Sequence, residues 1–167
     1  APKPPTPVEA EVYRSFDVES EGMVKPEIGF HFAATKELAD AASIKLGRKD
    51  FKTESYIINL KNPVRVKGQE NGFRPFSVLE DLVERKIITE KEFNKAYDEY
   101  LKIEETTDLS EFEYWQKSSK LIQDLLKPKG IDGLVYRNEF DAAGITKPAD
   151  SYIVFDKSSI KKAPKPP

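Results

Sequence analysis

The sequence predicts a single α+β domain, and three observations carry that expectation. Apolar patterns run in the order two strands, helix, strand, three helices, two strands, without the regular strand–helix alternation of a parallel sheet. Three S/T-x-x-E signatures, Ser77 with Glu80, Thr89 with Glu92 and Ser110 with Glu113, match capping boxes for three successive helices. The 167 residues are one domain's worth, enough to bury one core.

Val8 to Phe16 reads as a first strand, with Val12 and Phe16 apolar among polar neighbours. A loop through Gly22 and Pro26 leads to Ile28–Ala33, a short apolar run before a helix start and hence a buried strand. Thr35 is the expected N-cap of the next helix, which carries Leu38, Ala39, Ala42 and Leu46 on one face and stops at Gly47. Ser55–Leu60 is rich in β-branched and aromatic residues, with Val64 and Val66 as its continuation. Pro63 would interrupt a ladder bond there, so this strand bends or lies at an edge. The three capped helices present Leu79, Leu82 and Val83; then Phe93, Ala96, Tyr97, Tyr100 and Leu101; then Trp115, Leu121, Ile122, Leu125 and Leu126. These stripes read as packing faces. The acidic stretch Glu104–Asp108 reads as a solvated loop. Two strands close the pattern, Gly133–Arg137 and Ser151–Phe155, joined by the connection from Asn138 to Asp150.

The domain therefore spans 8–162. Residues 1–7 and 163–167 read as Pro-rich linkers, because such tracts favour extended, semi-rigid spacers. Similar spacers on both sides suggest a module of a longer multidomain chain, with neighbouring domains as covalent partners.

Composition narrows the chemistry. A formal net charge of −2, from 27 Lys+Arg against 29 Asp+Glu, gives no electrostatic case for nucleic acid or an anionic membrane as the main partner. With no cysteine and His31 as the only histidine, disulfides, thiol catalysis and a His-rich metal site are excluded. No apolar run approaches a membrane span, and the expected location is cytoplasmic.

Three segments, in order, resemble the ADP-ribosyltransferase superfamily. Val12-Tyr13-Arg14-Ser15 is similar to the first-strand motif, in which His or Arg precedes a small residue. Gly29-Phe30-His31-Phe32-Ala33, followed by a capped helix, resembles the Gly-Ile-Tyr-Phe-Ala segment of poly(ADP-ribose) polymerases. Asp150-Ser151-Tyr152-Ile153-Val154-Phe155-Asp156 resembles their Asn-Glu-Tyr-Ile-Val-Tyr-Asp strand. A nearer likeness is to the ADP-ribosyltransferase domains of polyvalent proteins of phages and mobile elements. It rests on Gly130-Ile131-Asp132-Gly133-Leu134-Val135-Tyr136, on Asp150–Phe155 with Ile160-Lys161, and on Tyr56–Val64.

The resemblance implies a split antiparallel β-sheet core with flanking helices, and NAD as cofactor. It implies transfer of ADP-ribose to a host macromolecule, a protein before a nucleic acid, in the host cytoplasm after expression or delivery by a phage. It also implies roles for individual residues. Arg14 grips the dinucleotide with a forked guanidinium, Ser15 supports the ribose, and His31 and Phe32 meet the nicotinamide. Each has a plain alternative: a strand ion pair for Arg14, a strand hydroxyl for Ser15, core packing for His31 and above all for Phe32.

The transfer passes through an oxocarbenium-like state that needs a carboxylate near the ribose. The polymerases' Glu maps onto Ser151. The acids to consider are Glu139, whose spacing to Asp141 resembles the paired acids of arginine-directed transferases, then Asp141 itself, then Asp150. Asp150 is expected on the opposite face of its strand from Ser151. The competing expectation is a binding or structural module that has the fold and no catalysis.

Overall fold

The computed structural model describes residues 7–18, 30–68 and 74–164, without the side chains of Glu111, Phe112 and Trp115. The linker expectation for 1–6 and 165–167, the loop through Gly22 and Pro26, Gly29, and the packing of Trp115 fall outside that description.

Among the described residues, seven strands and four helices make a mixed α+β domain with one mostly antiparallel sheet. The strands are β1 (Val8–Asp17), β2 (Phe30–Ala33), β3 (Phe51–Leu60), β4 (Pro63–Arg65), β5 (Gly133–Asn138), β6 (Ala149–Val154) and β7 (Ile160–Lys162). The helices are α1 (Lys36–Lys45), α2 (Pro75–Glu84), α3 (Glu90–Glu105) and α4 (Glu111–Leu126). The sheet order is β4-β5-β6-β2-β1-β3-β7.

Residues Val8 to Asp17 of β1 pair along their whole length with Leu60 to Phe51 of β3. β2 pairs with β6, and β6 with β5, over continuous registers. Between β1 and β2, by contrast, one pair alone joins the two halves of the sheet among the described residues, Tyr13 with Ala33. The two ladders part on either side of it.

Local chemistry explains most element ends. Thr35 accepts from Leu38 N and caps α1, and Gly47 just beyond the helix takes φ +74°, the left-handed geometry a glycine allows. Thr89 and Glu92 form a full capping box on α3. Ser110 caps α4 through Glu113 N, but its hydroxyl meets the Glu113 side chain instead of completing the box.

Several further details differ from the sequence pattern: β3 begins at Phe51, four residues before the expected Ser55, and the short edge strand β7 follows the two closing strands that the pattern shows. α2 starts at Pro75, with Arg74 as N-cap, because proline at the first helical position is pre-set for the helix; Ser77 lies inside the first turn. Leu46, expected on the packing face of α1, is 69% exposed, and buried Ser43 takes that side. Val64 does not continue β3. Its short strand β4 crosses to the far edge and runs parallel to β5, and Pro63, lacking an N–H, sits in that edge strand. Of the apolar stripe on α3, only Ala96 is buried, and Leu101 is exposed.

The core lies in three parts. Val78, Leu79 and Leu82 of α2, with Ile122 and Leu126 of α4, pack on Leu134, Tyr136 and Ile153 of the sheet. Val12, Phe30, Phe32, Ile58, Leu60 and Val154 form the second part. Leu38 and Ala39 of α1 close over Ala33 and Ala142, with Tyr13 alongside. This last, smallest part sits where the two ladders diverge, and it leaves space.

Candidate functional site

A cavity of about 200 Å³ opens at the divergence of β1 and β2. The register builds it. Tyr136, Ser151, Ala33 and Tyr13 are successive cross-strand partners on β5, β6, β2 and β1, so they form one row across the sheet. All four line the cavity. If the β1–β2 ladder ran one step further, Arg14 would face Phe32; a second step would set Ser15 against His31. Pairing stops before either step, and all four of these residues border the cavity instead. Leu38, Ala39 and Ala42 of α1 roof it.

Polar groups reach it from three directions. On one side, Ser15 Oγ and Ser43 Oγ share a hydrogen bond of 2.5 Å, and Arg48 Nη1 donates to Ser43 Oγ at 3.0 Å. Arg48 Nη1 also donates to the Ser15 carbonyl at 3.4 Å, which ties the end of α1 to β1, and Arg48 and Arg14 are both among the residues that line the cavity. On the opposite side, the end of β5 and the loop after it supply Asn138 and Asp141. Asn138 Nδ2 donates to Asp141 Oδ2 at 2.8 Å and to Ser151 Oγ at 3.0 Å. Asp141 N donates back to Asn138 Oδ1 at 3.0 Å. Both amide hydrogens and the amide oxygen of buried Asn138 are thus engaged, as a polar group at 5% exposure requires. The loop itself is clamped to α1: Lys45 Nζ donates to the carbonyl of Phe140 and lies 4.4 Å from the centre of its ring.

Arg14, Ser15, His31, Phe32 and Ser151, spread over three strands, are brought together around one space. Phe32 turns its ring away from it, however, packing against Tyr56 at 5.3 Å between ring centres in the core. The three acids separate. Asp141 lines the cavity. Glu139 does not: its side chain is 52% exposed and 3.6 Å from Arg137 Nε, on the outer side of the strand end. Asp150 also lies away, on the face opposite Ser151 as the strand period dictates. There Arg65 grips it through two bonds of 3.0 and 2.7 Å.

Sequence reasoning missed Asn138 and Arg48. Asn138 carried a usable signal, because Asn followed by a loop often bonds a backbone N–H a few residues on. Arg48 carried none, being one of many basic residues just past a helix end.

Chemically, two arginines, a carboxylate and several hydroxyls line the cavity together with apolar residues of α1 and the sheet. That arrangement suits an anionic ligand with a flat apolar end. No group of His and acidic side chains placed to hold a metal occurs among the described residues. No helix there is long and apolar enough to cross a membrane. A comparison of the chain with family models, with curated proteins and with solved structures finds no significant match.

Proposed function

We propose that this domain is an NAD-dependent ADP-ribosyltransferase, with the cavity at the β1–β2 divergence holding the nicotinamide–ribose end of NAD. The observation that carries the reading is the convergence of Tyr13–Ser15, His31–Ala33 and Ser151 on one cavity. These are the segments whose residues resemble the NAD-binding motifs of that superfamily. A volume of about 200 Å³ is smaller than the roughly 300–1,000 Å³ of sites that enclose a whole drug-sized ligand. It suits the nicotinamide end, with the rest of the dinucleotide running out over the surface.

In this reading the backbone edges of β1 and β2, released from pairing with each other, meet the carboxamide, which needs both a donor and acceptors. Arg14 and Arg48 neutralise the pyrophosphate. Asp141, oriented by Asn138, lies against the ribose. There its negative charge stabilises the C1′ cation that develops as the C1′–N bond breaks and the electron pair neutralises the pyridinium ring. The acceptor's lone pair then closes on C1′ and its proton leaves. Among the three acids, the geometry favours Asp141 over Glu139 and Asp150. The modified target is a macromolecule of the host of a phage or mobile element.

A second reading, a binding module without transfer, draws on Ser151: it stands at the polymerases' acid position and is occupied by the Asn138 bond. The test is a pair of measurements with the same protein. Labelled NAD should release nicotinamide at a rate above the uncatalysed one, and calorimetry should show saturable binding. Binding without release favours the module. Neither binding nor release removes NAD from the account.

A further inference from the structure

A second concave surface lies far from the cavity in sequence, between the start of α2, the last turns of α3 and the first turns of α4. Phe76, Tyr97, Tyr100, Leu101, Glu104 and Tyr114 line it, with Arg74 at one end. Its rings are layered: Phe76 lies 5.3 Å from Tyr97 and 6.0 Å from Tyr100 between ring centres, and Tyr100 meets Tyr114 edge-on at 6.4 Å. The rings are half-buried, and Leu101 is 37% exposed.

One negative charge, that of Glu104, is built into this surface. Glu104 Oε1 accepts from Tyr100 at 2.5 Å and from Tyr114 at 2.6 Å, which fixes the carboxylate between two phenol rings. Glu105 and Asp108 follow it in the chain, so this end of α3 is acidic. A helix hairpin needing only to pack would bury these rings. Here Tyr97 stacks on Phe93 and Tyr100 on Phe76, yet the rings stay half-buried and line a surface groove together with a fixed carboxylate.

The chain itself carries the complementary chemistry, twice. Residues 1–5 and 163–167 are the same pentapeptide, Ala-Pro-Lys-Pro-Pro. In a polyproline helix, with about three residues per turn, the first and last prolines of Pro-Lys-Pro-Pro fall on one edge, and the lysine projects from another. Preformed helices of this kind dock on grooves lined by aromatic rings, where rigid proline rings stack at small entropic cost. A lysine between the prolines would reach a carboxylate standing among the rings.

We propose that the groove between α2, α3 and α4 binds the Ala-Pro-Lys-Pro-Pro segment of this chain. Two prolines would lie on the Tyr97 and Tyr100 rings, and the lysine would meet Glu104. Binding would couple the domain to its own linkers, within one chain or between copies. This does not rest on the NAD reading.

The test uses the full chain and a fluorescent peptide, Ala-Pro-Lys-Pro-Pro-Thr-Pro, followed by anisotropy. Because the chain's own segments compete, a second protein replaces Pro2, Pro4, Pro5, Pro164, Pro166 and Pro167 by alanine. The expected result is saturable binding, tighter to the second protein. Tyr100→Ala should weaken it at least about ten-fold. Glu104→Gln should weaken it several-fold and flatten its salt dependence, as should Lys→Ala in the peptide. Leu101→Lys, which sets a like charge against the peptide lysine at an exposed position, provides the same check if Tyr100→Ala does not fold. Concentration dependence of the competition separates binding within a chain from binding between copies. No saturable binding to either protein, or binding indifferent to Glu104→Gln and Leu101→Lys, overturns the proposal.

Discussion

Asn138 holds the carboxylate of Asp141 at 2.8 Å while its other amide hydrogen reaches Ser151 Oγ at 3.0 Å. A single buried side chain therefore joins the end of β5, the loop after it and β6, and aims one acid at the cavity. The fold's junction and the proposed chemistry meet in this residue.

Asp141→Asn keeps the shape of the side chain and removes its charge. If the site transfers ADP-ribose, nicotinamide release should fall by roughly 10²–10³, the usual cost of losing one group that stabilises developing charge. Glu139→Gln and Asp150→Asn should leave turnover nearly unchanged, because neither acid lines the cavity. Loss of turnover in Glu139→Gln with full turnover in Asp141→Asn would reverse the assignment.

Asn138→Ala leaves Ser151 Oγ and Asp141 N without their buried partner. Orphaned buried groups of this kind cost about 1–3 kcal/mol. At roughly 2–4 °C per kcal/mol for a chain of this size, the melting temperature should fall by several degrees. Thermal denaturation followed by circular dichroism measures it. An unchanged midpoint would mean that water replaces the amide.

Gly133 tests the packing of β5 on β6. A Cβ there would lie 2.7 Å from the Ile153 carbonyl and 3.0 Å from both Leu60 methyls. Leu60 can turn, but the β6 backbone cannot move without disturbing the ladder. Gly133→Ala should therefore destabilise by about 1–3 kcal/mol, the usual cost of overpacking, read from urea unfolding.

Alkaline pH offers an independent check. Burial raises the phenol pKa of Tyr56, Tyr152, Tyr100 and Tyr114; bonds to Glu54 or Glu104 add to it in three of them. The folded state thus keeps protons that the unfolded chain releases near about pH 10, the ordinary tyrosine value. Their contribution is fully present below that pH and is lost as pH rises through the raised values. Tyrosinate absorbance of the folded protein should lag that of the protein in urea, and the urea midpoint should drop between about pH 8 and about pH 11. Coincident titrations would contradict the burial of these rings.

What the sequence made legible follows from how local each cause is. Strands β1, β2, β5 and β6 and the caps at Thr35 and Thr89 rest on short-range alternation and capping chemistry. All are where those patterns put them. Elements set by long-range choice were less visible. The three residues of β4 gave no sign that they cross to the far edge. The stripe of α3 reads as packing, although Tyr97 and Tyr100 line an open groove, because periodicity reports a face and not what covers it. Arg14, Ser15, His31 and Ser151 border one cavity, and their places on strands were legible because motif likeness marks positions on strands. The choice among three acids turned on which way one loop folds after Asn138. That geometry depends on a hydrogen bond to Ser151 and on the Lys45 clamp, both remote in sequence.

The most direct test is a titration of isotopically labelled protein with NAD, followed by amide chemical shifts. Shifts should concentrate at Tyr13–Ser15, His31–Ala33, Asn138–Asp141 and Ser151, and nicotinamide alone should reproduce those nearest His31. Arg14→Ala should weaken the titration at least about ten-fold, as expected for loss of a forked contact to pyrophosphate. A spectrum unmoved by millimolar NAD, or shifts gathered elsewhere on the domain, would contradict a dinucleotide site at the parting of β1 and β2.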